Sequence, residues 1–137
     1  MEKHFELSDS EFESSFINFK LDPSYFTHQA HLRLAWITIE KYGVELAEKN
    51  IQDQLKKYVE FVGARDKFNL TLTVAAIKIV HHFKQKSKSN NFRDFINEFP
   101  RLKNNFKDVI NAHYGFDIYN SELAKKAYLK PDLLSFD

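Results

Sequence analysis

Apolar positions along this chain recur at intervals of three and four, and no segment alternates cleanly with turn residues on both sides. Phe12, Phe16 and Phe19 share one side of a helix that Ser8 or Ser10 can cap and whose first turn carries acids, which predicts a helix over about 9–19. Asp22-Pro23 interrupts the pattern. A second helix is predicted after Thr27, a good N-cap, with Gly43 as its stop. A third follows from Val44 to about Val62, its apolar stripe formed by Leu46, Ile51, Leu55, Tyr58, Val59 and Val62, and Gly63 ends it. Residues 65–69 read as a loop or cap into a fourth helix, from Leu70 to about Lys86. That helix is apolar almost all round through Leu72, Val74, Ala75, Ala76, Ile77, Ile79 and Val80, and is therefore expected to be the central, most buried one. Shorter helices are predicted over 92–99, 101–113 and 121–129, with Gly115 and Pro131 as stops, and the apolar tail 131–137 is expected to pack back. The prediction is an all-α fold: a single compact bundle of five to seven helices, with residues 1–137 forming one domain.

Composition sharpens this picture in four places. Fourteen Phe among 137 residues imply an aromatic-rich core. The absence of cysteine excludes disulfides, thiolate zinc sites and cysteine nucleophiles, and fits a reducing compartment. The charged start, Met1-Glu2-Lys3-His4-Phe5-Glu6, has no apolar signal core, and no window reaches the roughly 18 apolar residues that a membrane helix needs. The expectation is a cytoplasmic protein with no membrane partner. A net charge of +1 argues against nucleic acid as a partner, and the lysines of Lys84-Gln85-Lys86-Ser87-Lys88 read as a solvated surface.

Candidate chemistry gathers at Phe26-Thr27-His28-Gln29-Ala30-His31-Leu32-Arg33-Leu34-Ala35-Trp36. At about 100° per residue, His28, Leu32, Ala35, Ile39 and Tyr42 fall in one sector, with His31 at its edge, Trp36 on the opposite shoulder, and Arg33, Glu40 and Lys41 pointing elsewhere. His28 and His31 are thus expected to face inward and line an interior pocket. An i,i+3 imidazole pair can ligate a divalent transition metal or relay a proton, provided a third ligand comes from another helix. His81, His82, His113, Asn69, Asp117 and Asp132 are the available donors. His81 is the better inward candidate of its pair because it shares a face with Val74 and Ile77. Asn69 and Thr73, near the start of the fourth helix, could orient a small-molecule ligand, and Trp36 could wall the pocket. Equally, first-turn histidines often bond only to backbone, Asn69 or Thr71 can simply cap a helix, and mid-helix threonines usually bond back to their own helix. His4 reads as a frayed-terminus residue, and His113 as a cation at a helix C-terminus.

Phe26-x-His28-x-x-His31-Leu32-x-x-Ala35-Trp36, Lys67-Phe68-Asn69-x-Thr71-x-Thr73 and Pro131-Asp132 together resemble a family of small, uncharacterised bacterial helical proteins, over nearly the whole chain. The resemblance implies a motif and no reaction. Members of that family often carry histidine where this chain has Asn69, a poor transition-metal ligand. That departure implies either that a three-nitrogen metal role is lost in this chain or that the site never needed metal and binds a polar small molecule.

Two functions remain open at this point. One is a ligand-binding or metal-binding helical domain built on the His28/His31 pocket. The other is a non-catalytic interaction module, homodimeric or bound to another protein, with structural histidines and aromatic side chains at its interface. Phosphate loops, nucleophile elbows and His-Glu-x-x-His motifs are missing, and no carboxylate pair stands out on an apolar face, so no enzymatic reaction can be read.

Overall fold

The computed structural model describes residues 2–136, and among these it is all-α: eight α-helices and three short 3-10 turns, with no strand. The chain divides into two compact units, Met1–Phe68 and Asn69–Asp137.

The first unit runs through a 3-10 turn (Lys3–Glu6), α1 (Asp9–Ile17), a second turn (Pro23–Tyr25), α2 (His28–Tyr42), α3 (Val44–Phe61) and a third turn (Arg65–Lys67). A capping box starts α1: Ser8 Oγ accepts from the Glu11 N–H at 3.1 Å and Glu11 Oε1 accepts from the Ser8 N–H at 2.9 Å. Thr27 caps α2 by accepting from the Ala30 N–H at 3.2 Å. Gly43, at φ 84°, lets the chain turn at once from α2 into α3, a conformation that a side chain would strain. Helix α2 packs on α3, and α1 lies against both. Phe16, Phe26 and Tyr58 meet with ring centroids 5.1–5.2 Å apart, and the Tyr58 hydroxyl donates to the Leu21 carbonyl at 2.8 Å. The interior is as aromatic as the composition requires.

Residues 29–39 of α2 are all buried except His31, whereas α4 buries six of its seventeen. The helix enclosed on nearly every side is thus α2, and not α4 as its apolar circumference predicted. Apolarity states what a helix can bury, but not how many neighbours it finds.

The second unit contains α4 (Leu70–Lys86), α5 (Phe92–Glu98), α6 (Pro100–Asn104), α7 (Phe106–His113) and α8 (Glu122–Lys126). The helix expected over 101–113 is two, because Asn105 leaves helical geometry at φ −136°, ψ 37°. Asn104-Asn105 is a weak stretch for helix propagation, and Pro100 at the first position of α6 favours a fresh start there. That break carries the number of helices to eight, one above the expected upper bound.

Helix α4 packs on α8, α5 on α6, and α6 on α7. Long-range side-chain-to-backbone bonds hold the irregular end of this unit. Thr71 Oγ1 donates to the Ala127 carbonyl at 2.7 Å and accepts from the Leu129 N–H at 3.0 Å, and the Tyr114 hydroxyl donates to the Leu129 carbonyl at 2.8 Å. The tail does fold back: Leu133 N–H donates to the His113 carbonyl at 3.0 Å, and Asp132 Oδ1 accepts from the Gly115 N–H at 2.7 Å.

Candidate functional site

His28 and His31 stand in the first turn of α2, and both are exposed. This corrects the inward orientation expected of them. The sector they were assigned to is buried further along, at Leu32, Ala35 and Ile39, but at the first turn it reaches water. His31 is held firmly nonetheless. Its ring stacks on Phe26 at a centroid distance of 3.8 Å, and Nδ1 lies 2.8 Å from the Thr27 carbonyl. A carbonyl only accepts, so Nδ1 carries the hydrogen and the lone pair of the neutral ring sits on Nε2. Packing around the ring pushes its pKa down to about 4, the Thr27 carbonyl opposing and a charge on His28 adding to the fall. Because the residue is also exposed, water supports the cation, and the direction of the shift, toward neutral imidazole, is what this geometry carries. Trp36 is buried within the same unit, so it does not flank the two exposed rings as a solvent-facing wall.

The other predicted residues belong to the second unit. Asn69 is buried and bonded on both sides of its amide: Oδ1 accepts from the Leu72 N–H at 2.9 Å, capping α4, and Nδ2 donates to the Ile118 carbonyl at 2.8 Å. Thr73 bonds back to the Asn69 carbonyl at 2.7 Å, which uses its donor inside the helix. His81 and His82 are both half-buried, so neither is distinctly inward. Burial lowers the pKa of His82, and Lys86, His113 and His81 add to the fall. His113 Nδ1 donates to the Leu134 carbonyl at 2.7 Å, and its ring packs on Phe136 at 4.3 Å, so it fastens the tail. Among the described residues, no three His, Asp or Glu side chains converge as metal ligands.

The polar cluster that sequence reasoning missed centres on Arg33, which is 5% exposed. Its guanidinium donates from Nη1 to the His4 carbonyl at 2.6 Å and from Nη2 to the Leu7 carbonyl at 2.9 Å. Nη2 and Nε both reach Asp9 Oδ1, at 2.9 and 3.2 Å. Phe12 lies under the guanidinium at 4.9 Å. His4, expected to fray, is fully buried; its Nδ1 lies 3.3 Å from Arg33 Nη1, so that nitrogen serves as acceptor. Glu2 accepts from the Thr27 hydroxyl, which ties the start of the chain to the cap of α2. Arg33 sits within the buried run 32–39 of α2, and no local sequence signal marks it, because its partners lie 24 to 29 residues away.

The first unit also displays an aromatic pair. Helix α1 closes in a Schellman turn, with Phe19 N–H bonded to the Phe16 carbonyl at 3.2 Å and Lys20 N–H to the Ser15 carbonyl at 2.7 Å. The residue at the left-handed position of that turn is Phe19, at φ 60°. Helix α3 closes with the same two bonds, Gly63 to Glu60 and Ala64 to Val59, but there Gly63 takes the left-handed position at φ 77°. Phe19 stacks on Phe61 with centroids 5.1 Å apart and planes 16° apart, and the two residues are 37% and 63% exposed. Leu46, placed on the inward stripe of α3 by its sequence, is instead 50% exposed. No helix among the described residues is long and apolar enough to cross a membrane.

Compared with known proteins, the chain matches no family model, no curated sequence and no solved structure.

Proposed function

We propose that this chain is a non-catalytic protein-interaction module whose contact surface is the Phe19–Phe61 face of its first unit. One observation carries the reading: a bulky aromatic occupies a left-handed helix-ending position that glycine fills without strain, and its ring is spent on an exposed stack. The conformation costs about 1–2 kcal/mol. Conformational strain that displays a side chain at the surface is characteristic of a binding element.

The alternative of a ligand pocket at His28 and His31 has less behind it. Those rings face water, one of them fastened to its own helix, and Asn69 and Thr73 spend their polar atoms on backbone. The test is a photo-crosslinking residue, p-benzoylphenylalanine, at position 61, with the exposed position 111 of α7 as control. Discrete adducts from position 61 alone, in cells expressing the chain, are the expected outcome. Equal or absent labelling at the two positions defeats the reading.

A further inference from the structure

Residues 2–7 lie as a strap against the start of α2. Glu2 accepts from the Thr27 hydroxyl, the Tyr25 hydroxyl donates to Glu6 at 3.1 Å, and Arg33 donates to the carbonyls of His4 and Leu7. The strap's own backbone adds single-turn bonds, from the Phe5 N–H to the Glu2 carbonyl at 3.2 Å and from the Leu7 N–H to the His4 carbonyl at 3.1 Å. At its middle His4 is 0% exposed, its ring 4.2 Å from that of Phe5 and 5.9 Å from that of Phe12. Arg33 Nη1 reaches this one residue twice, at the carbonyl (2.6 Å) and at ring Nδ1 (3.3 Å). A guanidinium N–H only donates, so Nδ1 presents its lone pair and the ring hydrogen sits on Nε2. The contact therefore exists only for the neutral imidazole.

We propose that His4 makes the strap a pH-sensitive latch, closed while the imidazole is neutral and released from Arg33 when the ring takes up a proton. The proton has to enter at Nδ1, the atom that accepts from Arg33. Its arrival replaces a hydrogen bond with two opposed N–H groups and sets a second cation 3.3 Å from the first, at a residue sealed from water. Charged groups reach this neighbourhood from several elements. On the strap itself, Glu2 Oε1 lies 3.6 Å from Nε2, outside hydrogen-bond reach, and its side chain is 34% exposed, so it favours the cation only weakly. Arg33, from α2, opposes the cation at contact. Asp9, from α1, bonds the guanidinium at 2.9 Å and is half exposed, so it tempers the Arg33 charge without cancelling it. Tyr25, from the second turn, is engaged with Glu6 and lies under Lys3 Nζ at 5.9 Å. Three effects thus resist the proton and one weak one invites it. A free imidazole takes up its proton near about pH 6.5, so the closed form has its full advantage above that pH and loses it as pH falls. Opening removes two carbonyls from the Arg33 fork and the His4 ring from beside Phe12, which bares a cation next to an aromatic face. The latch uses none of the residues of the Phe19–Phe61 face and stands apart from it.

Amide exchange followed by NMR tests the latch in the whole chain. The background is His31→Gln, because the packed ring of His31 also weakens this unit in acid. The N–H groups of Phe5 and Leu7 report opening of the strap, and those of α3 report the rest of the unit. After correction for the intrinsic pH dependence of exchange, opening at Phe5 and Leu7 should rise about eightfold between about pH 7 and about pH 5.5, the ratio set by one proton taken up at an ordinary histidine value. Opening within α3 should stay constant. His4→Gln offers Nη1 a neutral acceptor and has no proton to take up, so there the rise should vanish. The nitrogen-15 shifts of the wild-type His4 ring near pH 7 should show a bare Nδ1 and a protonated Nε2, a reading that holds even if His4→Gln fails to fold. No rise at Phe5 and Leu7, an equal rise in His4→Gln, a rise shared by α3, or a hydrogen on Nδ1 each overturns the proposal.

Discussion

Replacing Arg33 with Met keeps a stem of similar length and removes the guanidinium from beneath the N-terminal segment. The loss can be worked bond by bond. The donations to the His4 and Leu7 carbonyls, at 2.6 and 2.9 Å, are charge-assisted and lie in buried or part-buried surroundings. Such bonds contribute about 1.5–3 kcal/mol each. The His4 carbonyl still accepts from the Leu7 N–H at 3.1 Å, so its desolvation is partly met without Arg33. Asp9 has a side chain that is 51% exposed and returns to water, so the ion pair itself adds under about 1 kcal/mol. The contact over Phe12 is partly recovered by the methionine sulfur. The sum is a destabilisation of about 2–4 kcal/mol. Trp36 is the one tryptophan of the chain and is buried in this unit, so its fluorescence in urea reports on the right region. With a urea slope of about 1.5–2 kcal/mol per M, the midpoint should fall by about 1–3 M. Asp9→Asn should lose under about 1 kcal/mol. A midpoint shift below about 0.3 M for Arg33→Met shows that the clamp contributes nothing net. Equal losses for the two variants place the energy in the ion pair and refute the assignment to the carbonyls.

Two further outcomes follow from groups at the start of α2. The folded-state pKa of His31 lies below its ordinary value of 6.5, so as pH falls below that value the unfolded chain takes up the proton first and stability drops; the native form keeps its advantage only above about 6.5. The urea midpoint of the wild type should therefore fall more steeply than that of His31→Gln between pH 7 and about pH 4.5, and parallel pH profiles contradict the described packing of the ring. Gln29 buries its side-chain oxygen with no hydrogen-bond partner among the described residues, so Gln29→Met should raise the Trp36-monitored stability by about 1 kcal/mol, and a loss of that size means the amide is bonded after all.

Helix identity was legible wherever local chemistry decides it. Ser8, Thr27, Gly43 and Gly63 mark ends that the structure keeps, because a cap or a left-handed turn is settled within a few residues. What failed was long-range. Arg33 meets its partners across 24 to 29 residues, and His4 becomes an interior group through the same contacts, so no local period could reveal either. His28 and Leu46 failed differently. Each is an apolar-face assignment near a helix end, where the periodicity persists and the neighbouring helix does not. The exposed Phe19 was readable only as another Phe of an apolar stripe, since its significance lies in a backbone angle. The backbone-bound Thr73 was anticipated, because a threonine one turn into a helix has a carbonyl within reach.

The clamps of the two units also differ in temporal direction. Arg33 is answered by His4, Leu7 and Asp9, all synthesised before it, so its clamp can close before α8 has been synthesised. Thr71 has to wait for Ala127 and Leu129, 56 and 58 positions later. During translation the nascent polypeptide therefore carries an early half able to settle and a late half held open, and a stall between α4 and α8 strands the newborn chain with that second latch unfastened.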